Sequence, residues 1–222
     1  MPQKHYIICL VGSSGSGKTT ISRFLEDNNI PSVVSYTTRP MRTGEVDGRE
    51  HHFVSDDRVD HDVTLSPAMR AAYAEIGGYR YFATFDQFIA NPICTYVVDE
   101  DGLLMLYGSL GQYEHEQDIH QFDIFPIYVD TSSDIIASRT DPARIARDKT
   151  RRKLDPSVYD IIIHNDATDL STLSQWAYVF SIAIRALFFE QRLSSDRPIH
   201  LYTSDTEVAC IINQMSGVQF HQ

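Results

Sequence analysis

Lys18, preceded by glycines at 12, 15 and 17 and followed by Thr19, is the residue around which the chemistry of this 222-residue chain is arranged. Gly12-Ser13-Ser14-Gly15-Ser16-Gly17-Lys18-Thr19 fits G-x-x-x-x-G-K-[ST], the phosphate-binding P-loop. Glycines let the backbone curl so that amide N–H groups and the positive end of the next helix point at an anion. In such a loop Lys18 reaches the β- and γ-phosphates of ATP and the Thr19 hydroxyl ligates Mg²⁺. Ser13, Ser14, Ser16 and Thr20 complete the loop's expected ATP-binding set. Three further groups stand out by type. Arg39 and Arg42 are three apart in a loop containing Pro and Gly. Asp99-Glu100-Asp101 closes an apolar run. Arg139, Arg144, Arg147, Arg151 and Arg152 crowd one segment of a chain whose formal net charge is −11.

These groups need elements to hold them. Tyr6–Val11 is an apolar run of the kind that forms a buried parallel strand, and Ile21, Phe24 and Leu25 recur at helical spacing after the loop. Strand, glycine-rich turn and helix are the context the motif requires. Asp27–Pro31 predicts a helix stop and turn, and Ser32–Tyr36 a second strand. Asp56–Thr64 is acidic and polar and receives no assignment. A short helix is expected around Asp86–Ile89, and buried strands over Ile93–Val98 and Ile124–Val129. Between those strands Leu103–Tyr113 predicts a helix interrupted by glycines, and the cap-like Asp130–Ser133 opens a helix toward Arg139. Leu170–Leu193 predicts a long apolar helix covering the sheet; Pro198–Tyr202 and Val208–Met215 suggest an extra strand and helix.

The P-loop, followed by Ser35-Tyr36-Thr37-Thr38-Arg39 through Arg42, Gly44-Glu45 and Gly48, and then by His52-Phe53-Val54-Ser55, resembles guanylate kinase. The resemblance runs unevenly over about residues 5 to 190 and is strongest in 7–55. It implies that Arg39 and Arg42 grip the phosphate of an acceptor monophosphate and that Ser35 touches its base, in keeping with the bidentate match of guanidinium and phosphate. It places Asp99 near Mg²⁺ or the acceptor, and gives Asp101 a part in positioning the acceptor nucleoside. It sets Asn165 beside the donor base and makes 138–158 a lid whose arginines close on the donor phosphates. Arg139 matches by its distance from the preceding strand, whereas Arg144 and Arg147 match loosely because this lid is short. Tyr81 matches an acceptor-binding tyrosine, and His51 replaces another.

The chain departs from the family where the base is read. Ala72 stands where the family has its guanine-reading glutamate, Ala83 where it has a serine, and Phe82 replaces a glycine. Glu75 is three residues from Ala72 and faces the opposite side of an extended strand. Arg80 adds a donor that could read a carbonyl or a further phosphate. The implied activity is Mg-ATP-dependent phosphorylation of a nucleoside monophosphate, with Lys18, Arg39, Arg139 and Arg147 as catalytic residues; the departures point to a base other than guanine, and the alternative is that Glu75 takes the vacant place and GMP or dGMP remains the substrate. The implied fold is a doubly wound parallel α/β sheet with an acceptor-binding module (36–92), a short lid (138–158) and a C-terminal extension (191–222). A guanylate-kinase-like binding module without catalysis is a rival, against which the intact Gly17-Lys18-Thr19 weighs. A regulatory GTPase is another, but Asn165-Asp166 lacks the lysine of a guanine-reading N-K-x-D.

The bulk numbers set the partners. With 42% hydrophobic and 22% charged residues the chain reads as an ordinary globular domain. A charge of −11 argues against nonspecific binding to nucleic acid or anionic membrane, so nucleotides must be captured by local cations. Cys9, Cys94 and Cys210 form no C-x-x-C pair, no signal peptide is expected ahead of the first strand, and Trp176–Phe189 contains Arg185 and is too short to span a bilayer. A cytoplasmic location is the expectation. The histidines at 51, 52, 61, 115 and 120 have no zinc-like spacing.

Overall fold

The computed structural model describes residues 3–190 and 199–203. The chain opens with β1 (His5–Val11), whose burial is nearly continuous, as in a strand covered on both faces. The P-loop leads into α1 (Lys18–Asp27), which buries Ile21, Ser22 and Leu25 at helical spacing and stops at Asn28 and Asn29, the latter at φ 61°. The strand expected over Ser32–Tyr36 does not form. Ser32 makes a single bridge to Thr95. Gln87 Nε2 then donates to Val34 O at 2.7 Å, so a side-chain amide takes the carbonyl that a ladder partner would use. Only Tyr36–Thr37 pair, as β2, and they belong to a second sheet.

That sheet is the inserted module. It continues with β3 (His52–Phe53), and the unassigned acidic segment becomes α2 (Asp56–His61), capped by the Ser55 side chain. β4 (Arg70–Ile76) and β5 (Tyr79–Thr84) form a hairpin through Gly77 and Gly78, both at positive φ, and α3 (Phe85–Ile89) follows from a capping box of Thr84 and Gln87. The strand order is β3-β2-β5-β4.

The chain then returns to the first sheet with β6 (Ile93–Val97) and α4 (Glu100–Gln117). The glycines expected to interrupt α4 do not. Gly102 is needed there, because a Cβ would lie 2.5 Å from Val98 Cγ2, and at Gly108 and Gly111 a Cβ would meet open space. β7 (Phe122–Asp130) is followed by α5 (Ser133–Arg139), α6 (Pro142–Lys149), β8 (Ile161–His164), α7 (Leu170–Glu190) and β9 (Ile199–Tyr202). The order is β6-β1-β7-β8-β9, and every pairing is parallel. β9 therefore joins the central sheet beside β8, while the helix expected over Val208–Met215 lies outside the described residues.

Alternation along the strands builds a core on each face. Ile8, Leu10, Ile127 and Ile163 meet Ile21, Leu25, Trp176 and Phe180 of α1 and α7. Ile7, Cys9 and Val11 meet Leu103 and Leu106 of α4. The C-terminal ends of β1, β6, β7 and β8 thereby bring the P-loop, Asp99, Thr131 and Asn165 to one rim, where open α/β sheets bind ligands. No helix among the described residues is long and apolar enough to cross a membrane.

Candidate active site

The P-loop is held from below. Gly12 has φ 147°, and a Cβ there would sit 2.5 Å from Val129 O of β7; at Gly17, φ 98°, one would strike Asn165 Nδ2. Asn165 is fully buried and donates from Nδ2 to Ser16 O at 2.7 Å, while Thr131 Oγ1 lies 3.1 Å from the same oxygen. The Asn165 side chain, at the end of β8, thus fixes the loop. Lys18 Nζ curls back to Gly12 O and Ser13 O, 2.7 Å from each. Burial pushes its ammonium down to about 8, against the opposing pull of Asp148.

A triphosphate needs the charged lysine, so above pH 8 donor binding must take up a proton. Donor affinity is expected to fall by about tenfold per pH unit above that point. Calorimetry in buffers of different ionisation enthalpy reads the uptake; affinity flat to pH ~10 would contradict it.

Facing the loop across a cavity of about 680 Å³ is a wall from the second sheet: Arg39, Arg42, His51 and Tyr81. Arg39, 7% exposed, gives Nη1 and Nη2 to the two Glu45 oxygens at 2.9 Å each, and Nη1 also to Pro40 O. Among the described residues its buried Nε has no hydrogen-bond partner, and the Tyr81 side chain lies close to the guanidinium. The Arg39 fork holds the Glu45 carboxyl down at about 2, so the pair stays charged at any physiological pH. Glu45 Oε2 also accepts from Arg42 N at 2.7 Å, leaving the exposed Arg42 side chain at the cleft. Ser35 does not line the cleft; its Oγ lies 2.9 Å from His51 Nδ1, behind the ring. Burial, and after it the Arg39 cation, push the imidazole below its ordinary value.

The third wall is the end of β6 and the lid. Asp99 lines the cleft, its Oδ1 capping α4 at Gly102 N (2.9 Å) and its Oδ2 3.7 Å from Arg151. Asp101 does not line it: exposed, it pairs with Arg152 at 3.3 Å. Arg139, Arg144 and Arg147 all line the cavity, Arg139 donating to Ala167 O at 2.7 Å. Arg151 lines it as well, a position the arginine-dense segment contained without marking. Ala167, Thr168, Asp169, Leu170 and Leu173 line it too; they belong to no motif that singles them out in sequence. Thr19, exposed at the cleft, and Asp99 Oδ2 are oxygens of the kind Mg²⁺ takes, an ion that keeps waters and is otherwise held by phosphate. The residues present fit it.

The base-reading positions do not line the cleft. Ala72 and Ala83 face each other across β4 and β5, are 2% and 0% exposed, and share a core with Leu103 and Leu106 of α4. Phe82, expected to add bulk at the acceptor, points the other way and packs with Val54, Val59 and Leu65, stacked on Tyr36 at 5.2 Å. Arg80, expected as a free donor, is tied to Asp60 at 2.5 Å and Asp56 at 3.3 Å on α2. Glu75 is exposed and pairs in register with Arg80, on the strand face away from Ala72.

A family model described as guanylate kinase matches residues 4–91. The guanylate kinase of Sphingopyxis alaskensis is 37% identical over 114 residues, 47% of this chain and 50% of that protein. That of Nitratidesulfovibrio vulgaris is 37% identical over 116 residues, 48% and 55% of the two chains. That of Neisseria gonorrhoeae is 29% identical over 179 residues, 74% and 82%. The chain spans about half the length of the first two relatives. Among solved structures, the guanylate kinase from Anaplasma phagocytophilum superposes with a TM-score of 0.53 at 20% identity, covering 89% of this chain and 92% of that one, and so shares its fold.

Proposed function

We propose, from the match of residues 4–91 to a family model described as guanylate kinase, that the chain transfers the γ-phosphoryl group of Mg-ATP to a nucleoside monophosphate whose base is not guanine. The observation that carries the reading is that cationic side chains from the P-loop, the second sheet and the arginine-dense segment line one cavity. Lys18 and Thr19 stand on one side, Arg39, Arg42, His51 and Tyr81 on the other, with Arg139, Arg144 and Arg147 above.

Transfer between two phosphates needs in-line placement and charge neutralisation more than a strong base, because the attacking oxygen is already anionic. Lys18 and the loop amides hold the donor. Arg42 and the unpartnered Nε of Arg39 hold the acceptor phosphate. The lid arginines stabilise the transferring group and keep water out. Thr19 and Asp99 would hold Mg²⁺, which would supply positive charge to offset that of the donor phosphates.

The acceptor's base is a separate matter. A guanine reader needs a carboxylate for the ring N–H and the exocyclic amine. Here both reading positions are alanines turned into the α4 core, and Glu75 faces away. A site without those hydrogen bonds loses discrimination by several kcal/mol. Coupled ADP-release kinetics across a panel of ribo- and deoxyribonucleoside monophosphates tests the reading. The expected outcome is a poor kcat/KM for GMP and dGMP beside another monophosphate. A preference for GMP or dGMP of about a hundredfold would make the chain an ordinary guanylate kinase, and no ADP release with any acceptor would make it a binding module.

A further inference from the structure

The lid carries a carboxylate into the place where a donor phosphate belongs. Asp148 lies on α6 amid Arg144, Arg147, Lys149 and Arg151. A lone acid on a basic lid helix has every reason to stay in water, yet it is only 7% exposed. Its Oδ2 accepts from the backbone N–H of Ser14 at 2.6 Å, a hydrogen bond joining residues 134 positions apart. Its Oδ1 is buried without a hydrogen bond, 3.5 Å from Arg147 and 3.6 Å from Arg151.

The seat it takes is built for an anion. Ser14 N–H belongs to the curled loop whose amides, together with the start of α1, present partial positive charge. The Lys18 ammonium is within electrostatic reach of the Asp148 carboxylate. A second contact seats the lid on the same loop: Thr140, between α5 and α6, lies so close over Gly15 that a Cβ at that glycine would strike its Oγ1. The lid therefore rests on the loop at Gly15 and Ser14, and at the second point through a charge.

We propose that Asp148 is a lid-borne stand-in for a donor phosphate, holding the lid on the P-loop while the site is free of nucleotide and yielding the Ser14 amide when the donor arrives. The proposal rests on the reading of the loop as the donor site. Its physical basis is charge balance. Lys18, Arg144, Arg147 and Arg151 converge on one cavity, and without phosphate they repel one another. A carboxylate among them satisfies the amide and offsets that repulsion. The donor brings stronger anionic acceptors, takes the amide, and frees Arg147 and Arg151 from Asp148 to face phosphate. Donor binding and rearrangement of the lid are thereby one exchange of anions, and the internal anion competes with the external one.

The test is calorimetric titration of the full chain, wild type and Asp148→Asn, with Mg-ATP and separately with inorganic tripolyphosphate. Asn keeps the shape and removes the charge. A charge-assisted hydrogen bond no longer has to be exchanged, so the variant should bind both ligands about tenfold more tightly. Acceptor monophosphate affinity should be the same in both proteins. Hydrogen exchange of the peptide containing Ser14 supplies a second readout, independent of ligand affinity. In the nucleotide-free wild type the Ser14 amide should be protected; in Asp148→Asn it should exchange faster, and saturating ATP should erase the difference. Equal or weaker ATP binding by the variant, or an unprotected Ser14 amide in the nucleotide-free wild type, would overturn the proposal. A wild type that binds neither ATP nor tripolyphosphate would overturn the donor-site reading with it, whereas normal ATP binding with no gain in the variant overturns this proposal alone.

Discussion

Lys18→Ala keeps the fold and loses phosphoryl transfer by on the order of a hundredfold or more. The side chain sits at the edge of the core, with Nζ bonded to the loop's own carbonyls at Gly12 and Ser13 (2.7 Å each), so truncation removes two hydrogen bonds but opens no cavity among the buried residues. In transfer the ammonium meets charge that develops on the donor's phosphates, in a site closed to water, where one cation is worth several kcal/mol. Single-turnover rates with saturating Mg-ATP measure the loss, and thermal unfolding establishes that the fold survives. Near-normal turnover in a folded variant would remove the kinase reading. A loss confined to KM would remove only the catalytic role of Lys18, which would then bind ground state and transition state alike.

Arg39→Ala should lower kcat/KM for the acceptor by a comparable factor and cost stability too. Two separable effects meet in this residue. Its Nε is the buried, unpartnered donor on the acceptor wall, and its fork holds the Glu45 carboxylate. Removing the guanidinium leaves the partly buried Glu45 carboxylate without its charged partner and costs about 1–3 kcal/mol. Glu45 also carries the Arg42 backbone amide, so the loop that presents Arg42 loosens with it. The acceptor KM should rise, kcat should fall, and donor affinity should change little, since no Arg39 contact reaches the P-loop. Glu45→Gln separates the effects: it weakens the pair while leaving the arginine to face phosphate. An equal loss of ATP affinity in Arg39→Ala would assign the loop to the other substrate.

The P-loop side of the cleft was legible because its determinants are contiguous. Eight neighbouring residues, 12–19, specify a turn through local dihedrals and amide directions, and the apolar runs on either side need only their own pattern to become β1 and α1. Arg39, Arg42, His51, Tyr81 and Asp99 were likewise marked by type, and folding brings them to one cavity. Alternation from Tyr81 already implied that Phe82 faces away from it, since neighbours on a strand point to opposite faces.

Other features had no local signal. Ser32–Tyr36 has the composition of a strand, but a strand exists only where a partner offers its amides, and beyond the Ser32 bridge Gln87 takes the Val34 carbonyl instead. Glycines at 108 and 111 predicted breaks in α4, and packing of its apolar face overrode that propensity. Ser35 and Asp101 carry the right chemistry, but His51 and Arg152 engage them outside the cleft. Asp148 read as one acid in a basic helix. Its role depends on bringing that helix onto an amide 134 residues earlier, and only the tertiary fold sets which charge meets which dipole at that range.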